Sequence, residues 1–202
     1  VLNKPAGLPV HAGPKGGPSV EDLFPALSRR RHGPWLAHRL DADTAGCLVI
    51  ALTKQALLAA QDAFAAGTVE KIYWAIVRGT PPGDSGTVTA KLLKKSGPTG
   101  WRVTIDAKGQ DAASDWRVLG RGDGITLLEV RPRTGRTHQV RVHCASIGCP
   151  VSGDTFYGGG DGRLQLLARS ISVPVNPVLK ATAPFPAHMV EAAVAVGYGT
   201  IE

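Results

Sequence analysis

Aromatic residues are scarce in this chain, at 5% of 202 residues, so any aromatic beside a functional motif carries information. Cysteine is rarer still: Cys47, Cys144 and Cys149 are odd in number and form no CxxC pair. Neither a disulfide framework nor a cysteine zinc site follows, and a reducing cytoplasm is the expected setting. Long hydrophobic runs are also missing. The longest, Ala45 to Leu52, falls far short of the roughly 20 residues a membrane-spanning helix needs. No signal-peptide pattern is visible, but the chain opens at Val1 in an apolar stretch without Met, so an N-terminal portion is expected to be missing. Acidic residues are outnumbered, 16 Asp and Glu against 23 Lys and Arg, for a net charge of +7. That balance favours a polyanionic partner through phosphate neutralisation and counterion release.

Glycine and proline are plentiful, at 25 and 15 residues, and their even spread indicates many turns in an ordered, loop-rich protein. The length suits one domain, or two lobes sharing a cleft, with a real hydrophobic core. Val1–Asn3 reads as a strand end, and Ser19 with Asp22 as a capping-box variant opening a helix through Leu27. Arg29, Arg30, Arg31 and His32 form a basic loop, either a solvated turn or a nucleic-acid contact. Cys47–Leu52 is expected to be a buried strand. Thr53 then caps a helix over Lys54–Ala66 whose apolar side is Leu57, Leu58 and Phe64, with Gly67 as its stop. Val69–Val77 is a strand, and short strands are expected between Gly79 and Gly109. Trp101–Asp106, Ser114–Leu119 and Ile125–Arg131 alternate as strands of one antiparallel sheet. A helix is expected from Thr137 to about Ile147, with Val140, Cys144 and Ile147 on its core face. Leu164–Val173 reads as a strand and Pro186–Val196 as a helix. The order of elements indicates an α+β fold.

Two segments concentrate polar groups in apolar surroundings. His38–Gly46, HRLDADTAG, immediately precedes the buried strand, where a scaffold can hold a functional loop. Arg131–Arg141, RPRTGRTHQVR, runs from a strand end into a helix N-terminus, which favours an anion. Residue types alone leave alternatives open. Asp41, Asp43 and Thr44 also suit a turn, and Arg136 also suits a structural tie. Metal catalysis is disfavoured because His138 and His143 are five apart and no HExxH spacing occurs. There is no GxSxG elbow, no Walker A loop after Gly13–Gly17, and no dinucleotide fingerprint.

At these segments the chain resembles the RluA-type family of RNA pseudouridine synthases. The NKPxG-like segment is Asn3–Gly7, and the HRLDxxTSG loop is His38–Gly46 with Ala45 in place of serine. The KxYxAxVxG strand is Lys71–Gly79, and the late signature TGRTHQxRxHxxxxGxPxxGDxxYG covers Thr134–Gly158. The departures at Ala45, at Cys47 and at Leu166–Ala168, where the family often has Leu-His-Ala, leave the nucleophile position intact.

The resemblance implies a largely antiparallel central sheet flanked by helices and loops, with a central active-site cleft. It implies one catalytic domain over residues 1–202, and the opening without Met leaves room for an N-terminal extension or RNA-binding domain ahead of it. It carries the essential aspartate onto Asp41, the arginine that pairs with it onto Arg136, and the active-site tyrosine onto Tyr73. A carboxylate can attack carbon or steady positive charge at the sugar, and attack on the base, attack at C1′ and elimination all remain open. Arg39 is the candidate to fill the space left by a flipped uridine. His38, Thr44, His138 and Gln139 are candidate substrate-binding residues, whether by ordering the loops or by touching RNA. Lys4, Arg29–Arg31 and Lys94–Lys95 are candidate phosphate contacts. The expected partner is ribosomal or transfer RNA, with no cofactor, no metal, no membrane and a monomeric state. The rival reading is a non-catalytic RNA-binding or RNA-chaperone module on the same fold.

Overall fold

The computed structural model describes residues 1–13, 16–29, 32–97 and 100–199. In chain order the elements are β1 (Leu2–Lys4), a 3-10 turn (Val20–Leu23), α1 (Phe24–Leu27), β2 (Trp35–Leu36), β3 (Ala45–Leu48), β4 (Ile50–Ala51) and α2 (Lys54–Ala65). They continue with β5 (Glu70–Arg78), β6 (Ser85–Gly97), β7 (Gly100–Ile105), β8 (Gln110–Arg121) and β9 (Ile125–Pro132). The last are α3 (Gln139–Ser146), β10 (Leu166–Val173), β11 (Leu179–Thr182) and α4 (Ala187–Ala195). The fold is α+β with antiparallel strand pairing, as expected. The chain divides into two compact units: Val1–Lys71 with Ala168–Pro184, and Ile72–Leu167 with Phe185–Glu202.

In the first unit β1 pairs with β3, setting Lys4 opposite Gly46. β11 pairs with β10, and β2 pairs with β4 in a separate two-stranded ribbon. The expected strand Cys47–Leu52 is therefore two strands. It breaks at Val49, whose N–H goes to His38 Nε2 (3.0 Å) and whose carbonyl accepts from Ala37 N–H (3.2 Å). Leu52, beyond the break, is exposed. The cap on α2 forms as expected, with Thr53 Oγ1 accepting from Ala56 N–H at 3.1 Å, and Gly67 stops the helix at φ +69°. Its buried stripe is Leu57, Ala60 and Ala63, while Leu58 is exposed. One residue is a 100° step around a helix, so Leu57 and Leu58 cannot share a narrow buried stripe. Asp22 accepts the Ser19 N–H at 2.8 Å, but the segment starts as a 3-10 turn. Pro25 has no N–H for the α-type bond to residue 21, and Phe24 N–H bonds Glu21 O instead.

In the second unit the strand order is β5-β9-β8-β6-β7. Where short strands were expected, β6 runs for 13 residues. Its first part pairs with β8 and its last part with β7, and Leu92 is its one buried residue. Val88, Ala90 and Leu92 alternate with exposed residues, but only Leu92 is fully buried, and the far end, residues 94–97, carries no apolar alternation and is ordered by its ladder to β7. The core lies where Ala75, Val77, Leu128 and Val130 meet Val140 and Cys144 of α3 and the segment carrying Cys149 and Val151. Trp74, on the other face of β5, packs against Phe185 (5.0 Å) and Tyr198 (5.1 Å).

Candidate active site

The HRLD loop of the first unit is tied down from below. Lys4 is 1% exposed, and its Nζ donates to the carbonyls of Pro5 (2.8 Å), Leu8 (2.8 Å) and Ala42 (2.7 Å). Three acceptors match the three donors of an ammonium. Burial pushes its pKa down to about 8, partly offset by Asp43 and Asp41, so the charged form persists at neutral pH. Gly7, at φ +87°, adds its N–H to Ala42 O at 2.9 Å. The NKPxG segment thus clamps the residue next to Asp41, and Lys4 is a buried tie, not the phosphate contact expected of it.

The rest of the loop follows from that frame. Thr44 N–H closes a turn onto Asp41 O at 3.2 Å, and Thr44 itself is buried. Gly46 has φ +112°, and a Cβ there would overlap the Ala168 carbonyl. His38 accepts the Val49 N–H and lies on Phe64 with centroids 4.9 Å apart. Burial, assisted by Lys71, pushes the His38 pKa down to about 4, as befits a neutral ring whose Nε2 must accept. Asp41 is half-buried and Arg39 is exposed.

In the second unit Tyr73 sits on β5 opposite Val130, half-buried against the core. Arg136 is exposed, with Nε donating to Asp111 O at 3.1 Å. Gln139 fixes the loop that carries it. Its Oε1 accepts from Thr134 Oγ1 (2.6 Å) and Arg136 N–H (3.0 Å), and its Nε2 donates to Ala113 O and Ser114 Oγ, both at 2.9 Å. α3 starts at Gln139, two residues later than expected, because His138 occupies the left-handed region at φ 53°.

A buried lock holds His138 there. Arg141 makes two bonds of 2.7 Å to Asp154, with side chains 5% and 0% exposed. Its Nη1 reaches His138 Nε2 at 3.0 Å, and His138 Nδ1 meets Tyr157 Oη at 2.9 Å. Since Arg141 can only donate, His138 Nε2 accepts and a neutral ring carries its proton on Nδ1. Sequence reading passed over Asp154 and Tyr157 as site residues although both lie in the late signature. Spacing alone does not show that Asp154 pairs with Arg141. Of the candidate phosphate contacts, Lys95 is paired with Asp106 at 2.6 Å, Arg29 is exposed, and Arg30 and Arg31 lie outside the described residues.

An α+β scaffold that presents these two motif loops defines a class of RNA-modifying isomerase, and comparison with known proteins gives the family. A family model described as RNA pseudouridylate synthase matches residues 1–146. The chain belongs to that family. An uncharacterized RNA pseudouridine synthase of Zymomonas mobilis is 40% identical over 195 residues, covering 92% of this chain and 89% of the relative. The ribosomal large subunit pseudouridine synthase C of Vibrio cholerae is 34% identical over 206 residues, covering 95% of this chain and 64% of the relative. Among solved structures, human RNA pseudouridylate synthase domain containing 4 aligns with a TM-score of 0.81 at 26% identity, covering 96% of this chain and 88% of that one. The chain thus spans most of the Zymomonas relative but just under two thirds of the Vibrio one.

Proposed function

We propose that this chain isomerises specific uridines of ribosomal or transfer RNA to pseudouridine, with Asp41 as the essential carboxylate. The observation that carries the reading is the Lys4 clamp. A buried ammonium with three carbonyl partners holds the backbone beside Asp41, and a reacting group needs such preorganisation. In the reaction the N1–C1′ bond breaks, the base turns, and C5 bonds to C1′. The C5 hydrogen leaves as a proton and N1 gains one, so the step is redox-neutral and calls for no cofactor or metal. Asp41 acts by attack on carbon or by steadying charge at the sugar. Tyr73 stacks on the uracil and relays a proton. Arg136 supplies the cation that favours an ionised carboxylate. Arg39 enters the space vacated when the target base flips out.

His38, Thr44, His138 and Gln139 then serve substrate binding indirectly, by shaping the two loops. Their polar contacts to protein favour this over direct RNA contact. We propose that the 202 residues act as one catalytic domain, as a monomer, in the cytoplasm. A ribosomal substrate has support from the name of the Vibrio relative.

The test is bulk RNA tritiated at uridine C5, incubated with the parent protein and with Asp41→Asn. Bonding of C5 to C1′ releases tritium to water, so release by the parent and none by the variant is expected. Equal release by both would remove Asp41 from the role. No release from any RNA would favour the non-catalytic binding module.

A further inference from the structure

Trp101 and Phe156 are the two exposed large aromatics among the described residues, at 38% and 41%. They are 55 positions apart in sequence, yet both line one pocket of about 400 Å³ between the β6–β7 hairpin and the Thr155–Phe156 turn. That volume lies in the range of small-ligand sites. In a chain so poor in aromatics, two exposed rings at one concavity call for an occupant.

The pocket is closely packed below and basic around its edge. Trp101 rests on the buried His138 ring at 4.9 Å, and Phe156 meets the same ring edge-on at 5.7 Å. Asp154 Oδ1 accepts the Phe156 N–H at 3.0 Å, so the Arg141–Asp154 lock also sets the turn. Lys94 Nζ lies 4.1 Å from the Trp101 ring centroid, and Arg102 donates to Phe156 O. A cation–π contact at an exposed site is weak, so the ammonium can turn to a phosphate while the indole face receives a ring. Aromatic faces bordered by lysine and arginine suit an unstacked nucleobase with its backbone phosphate.

We propose that Trp101 and Phe156 form a stacking subsite for an unpaired base of the substrate RNA, with Lys94 and Arg102 at its phosphate. The subsite holds single-stranded nucleotides apart from the reacting uridine, and it selects loops over continuous helix because a base inside an A-form stack has no free face. This inference rests on the RNA reading above.

The experiment compares binding of a fluorescent single-stranded oligouridylate and a blunt RNA duplex of equal length to the parent protein, Trp101→Ala and Trp101→Phe. Alanine is expected to weaken the single strand about 5- to 150-fold, the range of one base–aromatic stack, and to leave the duplex unchanged. Phenylalanine, which keeps a ring over His138, is expected to restore most of the loss. Equal weakening of both RNAs by alanine would overturn the subsite in favour of a general structural effect. Unchanged single-strand binding would overturn it and leave the patch to a protein contact. A folded parent that binds neither RNA would overturn the RNA reading and the subsite together, which separates that failure from a failure of the subsite alone.

Discussion

Asp154→Asn is expected to be among the most damaging single substitutions in the second unit, although position 154 carries no assigned chemistry. The substitution leaves Arg141 buried and turns an amide N–H group towards its guanidinium. Two charge-assisted bonds of 2.7 Å are lost or weakened at side chains 5% and 0% exposed. Breaking one side of a buried pair costs about 3–5 kcal/mol, since the remaining charge is uncompensated. At about 2–4 °C per kcal/mol for a chain of this size, the melting temperature should fall by roughly 6–20 °C. Tritium release should fall too at temperatures where the variant is folded, because Arg141 supports His138 and through it the Arg136 loop. Replacing the pair together, as Arg141→Met with Asp154→Leu, should recover part of the stability without the activity. Thermal unfolding followed by circular dichroism decides the matter. An Asp154→Asn protein within about 1 kcal/mol of the parent, or a double variant less stable than Asp154→Asn, would refute the reasoning.

Gly46→Ala should be poorly soluble or unfolded, since a Cβ at φ +112° is strained and would overlap the Ala168 carbonyl; soluble yield and melting temperature are the readouts, and a parent-like melt would count against the assigned backbone. Acid should destabilise the fold below neutrality. Burial pushes both His38 and His143 from 6.5 down to about 4, so between those values the unfolded chain binds protons that the native state refuses. Their contribution is whole above pH 6.5 and lost as pH falls towards 4, by an amount on the order of 3 kcal/mol for His38 and a smaller one for His143. Urea unfolding across that window measures it, and His143→Gln should flatten the slope.

Much of the site was legible because its parts are local. The Thr53 cap, the Gly67 stop and the two polar loops are written within a few residues of themselves. The four motif blocks identified a family that comparison then supported. Less legible were elements whose order comes from partners and not from their own pattern. The far end of β6, residues 94–97, is exposed and carries no apolar alternation, so its extent shows only in its ladder to β7. Val49 reads as mid-strand until His38, eleven positions earlier, takes its N–H.

The same division holds for individual side chains. The sequence, read through its resemblance to the family, placed Lys4, Gln139 and Arg141 as polar groups inside the family's motif blocks. Tertiary structure decided that Lys4 points inward to the loop beside Asp41, that Gln139 braces the Arg136 loop, and that Arg141 finds Asp154. A lysine or arginine has the same charge on the surface as in the interior. Its fate depends on whether distant backbone or a carboxylate can repay the loss of water, and that is known only when the chain has folded. The Trp101–Phe156 pocket belongs to the same category. Each aromatic is visible in the sequence, but their meeting at one concavity is a property of the fold.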